Sequence, residues 1–191
     1  QRDYQKLKIE EKESYKWIRA SNESKEILAD AEQVIIIQDR EGDIYDQLSQ
    51  IPDDKHHLLI RSSTNRKLVD GARLWDVLGS QQSMGTYQIE VAGDPRKKIT
   101  RRTATIEIRY LYTTIKKPYT AVGNTIKETK LYDVEAREIN TEEKSPILWR
   151  LITTYPITDY EDARRIVMWY ACRWLIEQVF RMLKKQGFDI E

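Results

Sequence analysis

Four β-branched residues in a row, Val34-Ile35-Ile36-Ile37, constrain this chain more than any other stretch. Bounded by Gln33, Gln38 and Asp39, they read as a strand buried on both faces, as in the middle of a parallel sheet. The next residues, Arg40 to Leu48, read as a loop and the first turns of a helix. His57-Leu58-Leu59-Ile60-Arg61-Ser62 then reads as a second short strand. Strand, short helix and strand make a β-α-β unit, so the two strands are expected to be parallel. The first strand ends on Asp39. The carboxyl end of such a strand is where open α/β sheets keep their chemistry. Asp is equally a preferred cap for the helix that follows, and position alone leaves both readings open.

A chain of 191 residues can bury one core and carry a small second lobe. Ahead of the first strand, Lys12 to Asp30 reads as a helix with a possible break at Ser21-Asn22. After Arg61 the texture changes. A short helix is expected around Leu74 to Leu78, and three β-type segments follow over 85–91, 102–115 and 129–139. Thr105 to Tyr110 alternates strictly, which marks a half-exposed, antiparallel sheet. Asp94-Pro95 and Gly123-Asn124 mark turns. Arg96, Lys97, Lys98, Arg101, Arg102, Lys116 and Lys117 near those turns suit either phosphate contact or simple solvation. Ile147 to Thr154 returns to a buried strand. The division expected is 1–62, an α/β core piece; 63–145, an all-β insertion; and 146–191, a return strand with a closing helix.

Thr158 to Gly187 has the marks of one long helix. Thr158 with Glu161 forms a capping box, Pro156 precedes it, and Gly187 stands where a left-handed C-terminal residue is wanted. At about 100° per residue, Tyr170, Arg173, Glu177 and Lys184 share one face, with Trp174 and Arg181 beside them. The opposite face carries Met168, Ala171, Cys172, Leu175, Ile176, Val179, Met182 and Leu183, and is expected to be buried. The polar row alone also fits a solvated face with i,i+4 ion pairs.

Composition excludes several classes. A third of the residues are charged but the formal net charge is +1, so no global basic field announces nucleic acid and any such affinity must be local. The lone Cys172 excludes an internal disulfide and points to a reducing compartment. No apolar run spans a bilayer, and His56 and His57 lack the cysteine partners of a zinc site. What remains is a pair of acids, Asp39 and Glu177, that the layout can bring to one edge of the sheet. Hard divalent cations favour such carboxylates, and two of them can activate water and stabilise the leaving oxygen of a phosphodiester. Tyr170, Arg173 and Lys184 add a hydroxyl, a fork and a point charge for a polyanion.

Those residues resemble a known family. Tyr170, Arg173, Glu177 and Lys184 match Y-x2-R-x3-E-x6-K, the signature of one branch of the DDE transposases of bacterial insertion sequences. Asp39-Arg40-Glu41-Gly42-Asp43-Ile44 looks like that branch's D-R-E-x-D-I segment, and Lys12 to Trp17 like the stretch before it. The resemblance implies an α/β, RNase H-like core with an all-β insertion before the last catalytic helix. It implies cut-and-paste transposition: phosphodiester cleavage at transposon ends and strand transfer into target DNA, dependent on Mg²⁺ or Mn²⁺. Asp39 and Glu177 would be catalytic metal ligands. Tyr170, Arg173, Lys184 and Arg61 would hold DNA, and Trp149 and Trp174 would either stack on a displaced base or pack in the core. A synaptic homodimer and a bacterial, cytoplasmic, nucleoid-associated setting follow from the same resemblance.

One departure stands against these matches. The family's first acid lies on the first core strand, and neither Asp3 nor Asp30 fits it. The expectation is therefore a partial core whose first strands are missing, inactive by itself, with the Val34–Ile37 strand left as an unpaired apolar edge prone to self-association. A related RNase H-like nuclease or resolvase, and a domesticated non-catalytic DNA-binding protein, are the other readings.

Overall fold

The computed structural model describes residues 4–91 and 101–187, with the backbone alone at Trp174 and Glu177. Its centre is a six-stranded sheet of β1 (Val34–Gln38), β2 (His56–Arg61), β3 (Gly85–Val91), β4 (Arg102–Lys116), β5 (Glu128–Ile139) and β6 (Leu148–Thr153). Their order across the sheet is β1-β2-β6-β5-β4-β3. β1 and β2 are parallel, as the β-α-β pattern requires, and every other pairing is antiparallel. The three inserted strands thus extend the same sheet as the core strands, joined through β5 and β6.

Alternation along the strands builds a core on each face. On one face Leu58, Ile60, Ile152, Leu131 and Ile115 meet α1 (Tyr15–Ile27), α2 (Tyr45–Gln50) and α3 (Leu74–Ser80). On the other, Leu59, Leu151, Val134, Ala136, Ile106 and Ile108 meet Ala163, Ile166, Val167 and Tyr170 of α4 (Tyr160–Ala171). α1 runs through Ser21-Asn22 without a break, because Ser21 is buried and its hydroxyl donates to Gln47 Oε1 at 3.2 Å.

Three expectations are corrected. The isoleucines of β1, expected to be enclosed on both faces, are half-buried, because β1 pairs only with β2 among the described residues and forms the edge that the missing-strand reading expects. The terminal helix is two helices, α4 and α5 (Trp174–Lys185). At the joint Cys172 and Arg173 keep right-handed helical angles, but the ladder tightens: the N–H of Arg173 donates to Tyr170 O at 3.0 Å and that of Leu175 to Cys172 O at 3.0 Å, the i to i−3 pattern. The helix cap is Asp159, whose carboxylate accepts from Asp162 N at 2.9 Å; Thr158 instead donates its hydroxyl to Asp162 at 2.7 Å.

The faces of that helical stretch are corrected too. Tyr170, placed on the polar side by its angle, is only 4% exposed, while Met168, Leu175, Ile176, Val179 and Met182 are about half exposed and Cys172 is exposed. The cause lies in the sheet. α4 starts at the β3–β4 side, where Gly85 lies against the Tyr160 ring, and ends at β1, where Tyr170 reaches Asp39. α5 therefore runs on past the sheet's edge strand, and its apolar stripe finds no strand beneath it among the described residues.

Candidate active site

Asp39 leaves β1 at its carboxyl end, and the parallel register of Gln38 with Ile60 sets it beside Arg61, the last residue of β2. The turn that follows is built around a close approach. A Cβ on Gly42 would meet the Gln38 side chain, its Cβ at 2.8 Å, so only glycine fits the third position after Asp39. Gln47 of α2 locks the same turn, donating its amide to Gln38 Oε1 at 2.5 Å and to Gly42 O at 2.9 Å. Gln38 in turn donates to Ser21 Oγ at 3.1 Å. These amides are buried, so each bond also avoids the cost of an unpaired polar group.

The second acid of the same motif has a different task. The Asp43 carboxylate is fully buried and ion-paired with Arg66, whose Nε donates at 3.1 Å. Its other oxygen accepts from Ser63 N at 2.8 Å and Thr64 N at 3.1 Å. Asp43 thus ties the segment after Arg61 to the turn after Asp39. Arg66 and Gln47 carried no signal in the sequence, being polar residues in stretches that read as loop and helix; only the fold buries them.

Across 131 positions of sequence, Tyr170 donates its hydroxyl to Asp39 Oδ1 at 3.1 Å. Arg40 N donates to the same oxygen at 2.8 Å, and Arg173 brings Nη2 to 3.6 Å from Oδ2. Asp39 is therefore both the cap of the short turn and the meeting point of the motif residues. Partial burial pushes its carboxyl up, but the Arg40 amide, the Arg173 charge, the Tyr170 hydroxyl and the Arg61 charge outweigh burial and hold it below the ordinary value. The Tyr170 phenol is raised, by burial first and by the Asp39 charge second. Trp149 of β6 packs edge-on against the Tyr170 ring, with centroids 5.4 Å apart.

The fold therefore gathers Asp39, Arg61, Trp149, Tyr170 and Arg173 at one end of the sheet. Lys184 is exposed and lies further along α5, roughly 16 Å from Arg173 at 1.5 Å per residue. Trp174 and Glu177 hold backbone positions in the first turns of α5, Glu177 four residues after Arg173, and their side chains lie outside the described residues. Of the basic turn residues, Arg101 pairs with Glu90, Arg102 with Glu138 and Glu143, and Lys117 with the Asn124 carbonyl. Arg96, Lys97, Lys98 and the Asp94-Pro95 turn lie outside the described residues. No helix among the described residues is long and apolar enough to cross a membrane.

The class defined by this arrangement is an α/β domain, compatible with the RNase H-like fold, whose final helices close over an acid at the end of a parallel strand. The family model described as "Transposase DDE domain" matches residues 13–191. The chain belongs to the DDE transposase domain family, and transposition of DNA is its function in general terms.

Proposed function

We propose that this chain is catalytic-domain sequence of a cut-and-paste transposase that hydrolyses phosphodiesters at transposon ends and transfers the strand to target DNA. The supporting observation is the convergence of Tyr170 and Arg173 on Asp39, since it joins the two motifs that carry the resemblance. The proposed organisation is a core over 1–62 and 146–191 interrupted by a mainly antiparallel insertion over 63–145.

In this reading Asp39 and Glu177 are the carboxylates that hold divalent cations. Asp39 suits that role: it is a hard oxygen donor, about two-fifths exposed, and kept ionised by its neighbours. Bound Mg²⁺ or Mn²⁺ would supply water activation and charge stabilisation at the leaving oxygen. The chain's own residues do the rest. Tyr170 and Arg40 N orient the Asp39 carboxylate. Arg173, Arg61 and, further along α5, Lys184 present positive charge to the DNA backbone. Trp149, half-buried against Tyr170, and Trp174 offer indole surface for a base drawn out of its stack. The working assembly is a homodimer on two transposon ends, in the bacterial cytoplasm.

Two carboxylates, Asp39 and Glu177, are assigned in this reading where the family uses three acids, so the chain tested by itself is expected to be inactive. The test uses a protein carrying this domain together with a further acid. Glu177→Gln and Asp39→Asn should each abolish magnesium-dependent end cleavage while leaving end binding intact. Full cleavage by either variant overturns the reading. A DNA hairpin intermediate at the transposon end supports the transposase over a related nuclease or resolvase.

A further inference from the structure

We propose that the sheet end carrying Asp39 makes a second contact with the DNA backbone, on the face turned away from α4, through Arg137 and Arg150 held by the buried carboxylate of Glu135. The inference rests on the reading of this chain as a protein that acts on DNA. It adds a phosphate site to which none of the motif residues belongs.

The register gives the place. Gln38 pairs with Ile60, so Asp39 is level with Arg61, and Arg61 pairs with Leu151. Arg150 is one residue further out along β6. It pairs with Glu135, which pairs in turn with Arg109. Arg137 is two residues further out again, between Leu148 and Glu107. Side chains alternate between the faces of a sheet. Leu151 and Val134 therefore pack under α4, while Arg150, Glu135 and Arg137 project on the α3 side with Ile152 and Leu131. β6 lies two strands from β1, about 10 Å away at the usual spacing.

The two arginines are held but not saturated. Glu135 Oε2 accepts from Arg150 Nε at 2.8 Å, and the Arg150 guanidinium lies 4.8 Å over the Trp75 ring. The Trp75 indole N–H is itself fixed on Ser62 Oγ at 3.0 Å. Arg150 is thus pinned at Nε and on one face, and its terminal nitrogens make no hydrogen bond among the described residues. Arg137 brings Nη2 to 2.8 Å from Glu135 Oε1 without the alignment of a hydrogen bond, and its side chain is 40% exposed. Arg109 differs: it donates to Gly79 O and pairs with Glu107. Stability alone is a weak reason for this arrangement, since apolar residues of similar volume hold such a position as well as a buried ion pair does. What the fully buried Glu135 supplies is orientation: two guanidiniums at fixed points with N–H groups left over, which suits phosphate oxygens.

The test is the fluorescence anisotropy of a labelled short DNA duplex titrated with this chain at several salt concentrations. Arg137→Gln should weaken binding on the order of tenfold at about 50 mM salt and flatten the slope of log affinity against log salt by about 0.9, the loss of one phosphate contact. Arg165→Gln removes the same charge from an ion-paired arginine on α4 and should leave the slope near the wild-type value. Equal losses in these two would assign the effect to net charge and overturn the site. Glu135→Gln combined with Arg150→Gln removes both partners of the buried pair and keeps the net charge. It should still lose affinity and slope, and wild-type binding by this double variant overturns the proposal. Because Arg137 is two-fifths exposed, its variant decides the matter if the double variant does not fold. Arg61→Gln reads the contact on the other face: a loss there with none at Arg137 or Arg150 leaves the DNA reading standing and removes only the second site. If the wild-type chain binds no duplex, the DNA reading falls and this inference with it.

Discussion

Tyr170 reaches Asp39 across 131 positions of sequence, with its ring buried and its hydroxyl spent on one carboxylate oxygen, 3.1 Å away. The ring and the hydroxyl can be tested apart. Tyr170→Phe keeps the ring against Trp149 and the sheet and removes only the hydrogen bond. It should cost about 0.5 kcal/mol, the low end for such bonds because Asp39 is partly exposed. Tyr170→Ala empties a core position and should cost about 3 kcal/mol. Urea unfolding of both variants checks this. Equal losses would mean that the hydroxyl, and not the ring, fastens α4 to the end of β1.

Asp133 is the least expected group in the sheet. It lies on β5 between Leu111 and Ile152, fully buried, and neither carboxylate oxygen has a hydrogen-bond partner. Burial pushes its carboxyl well above the ordinary value of 3.8, the Asp43 charge adds to that, and the Arg66 charge opposes it. A raised carboxyl means the folded chain holds a proton that the unfolded chain gives up. Stability at Asp133 is therefore full below the ordinary value and falls as pH rises toward the folded-state value. Asp133→Asn removes that slope. It should stabilise the chain at pH 7 by on the order of 1 kcal/mol and make little difference at pH 4. Urea midpoints across pH 4–8 measure it, and an unchanged slope in the variant would assign the pH dependence elsewhere.

Gly42 is required by space and not by backbone angle. Gly42→Ala would drive a methyl group into the Gln38 side chain, whose amide is already held by Gln47 and Ser21. Overpacking of this kind costs about 1–3 kcal/mol. Because the same turn carries Asp39, the variant should also shift the Asp39 and Arg40 backbone resonances. Gly79→Ala is the control, since nothing lies within 4 Å of its missing Cβ. If both variants behave alike, the turn is not built on that close approach.

The elements legible in the sequence were those with local signals. β3 was read at its observed bounds, and β4 and β5 within one residue, because alternation is a property of neighbouring residues. The parallel pairing of β1 with β2 followed from the crossover between them. What could not be read depended on where the sheet stops. Helical angles put Tyr170 and Met168 on opposite faces correctly, but which face is inside is decided by the strands beneath. A stripe as apolar as Leu175, Ile176 and Val179 reads as core in any sequence. Likewise Asp39 was visible as a strand-end acid and Tyr170 as a motif residue, yet their contact is a product of α4 crossing the whole sheet.

That overhanging stripe makes the last prediction. Leu175, Ile176, Val179, Phe180 and Met182 are each about half exposed on one side of α5, and the outer edge of β1 has no pairing strand among the described residues. An exposed apolar helix face and an open strand edge each favour association with a second surface. The chain should therefore show mass rising with concentration in light scattering. Replacing Ile176, Val179 and Met182 together with Gln, a good helix former, should return it to monomer. The same triple variant should change the unfolding free energy of the dilute chain by less than about 0.5 kcal/mol per site, the usual range for surface positions. A loss of several kcal/mol in the dilute chain would mean that these side chains already have partners within it, and that association, where seen, runs through the β1 edge instead.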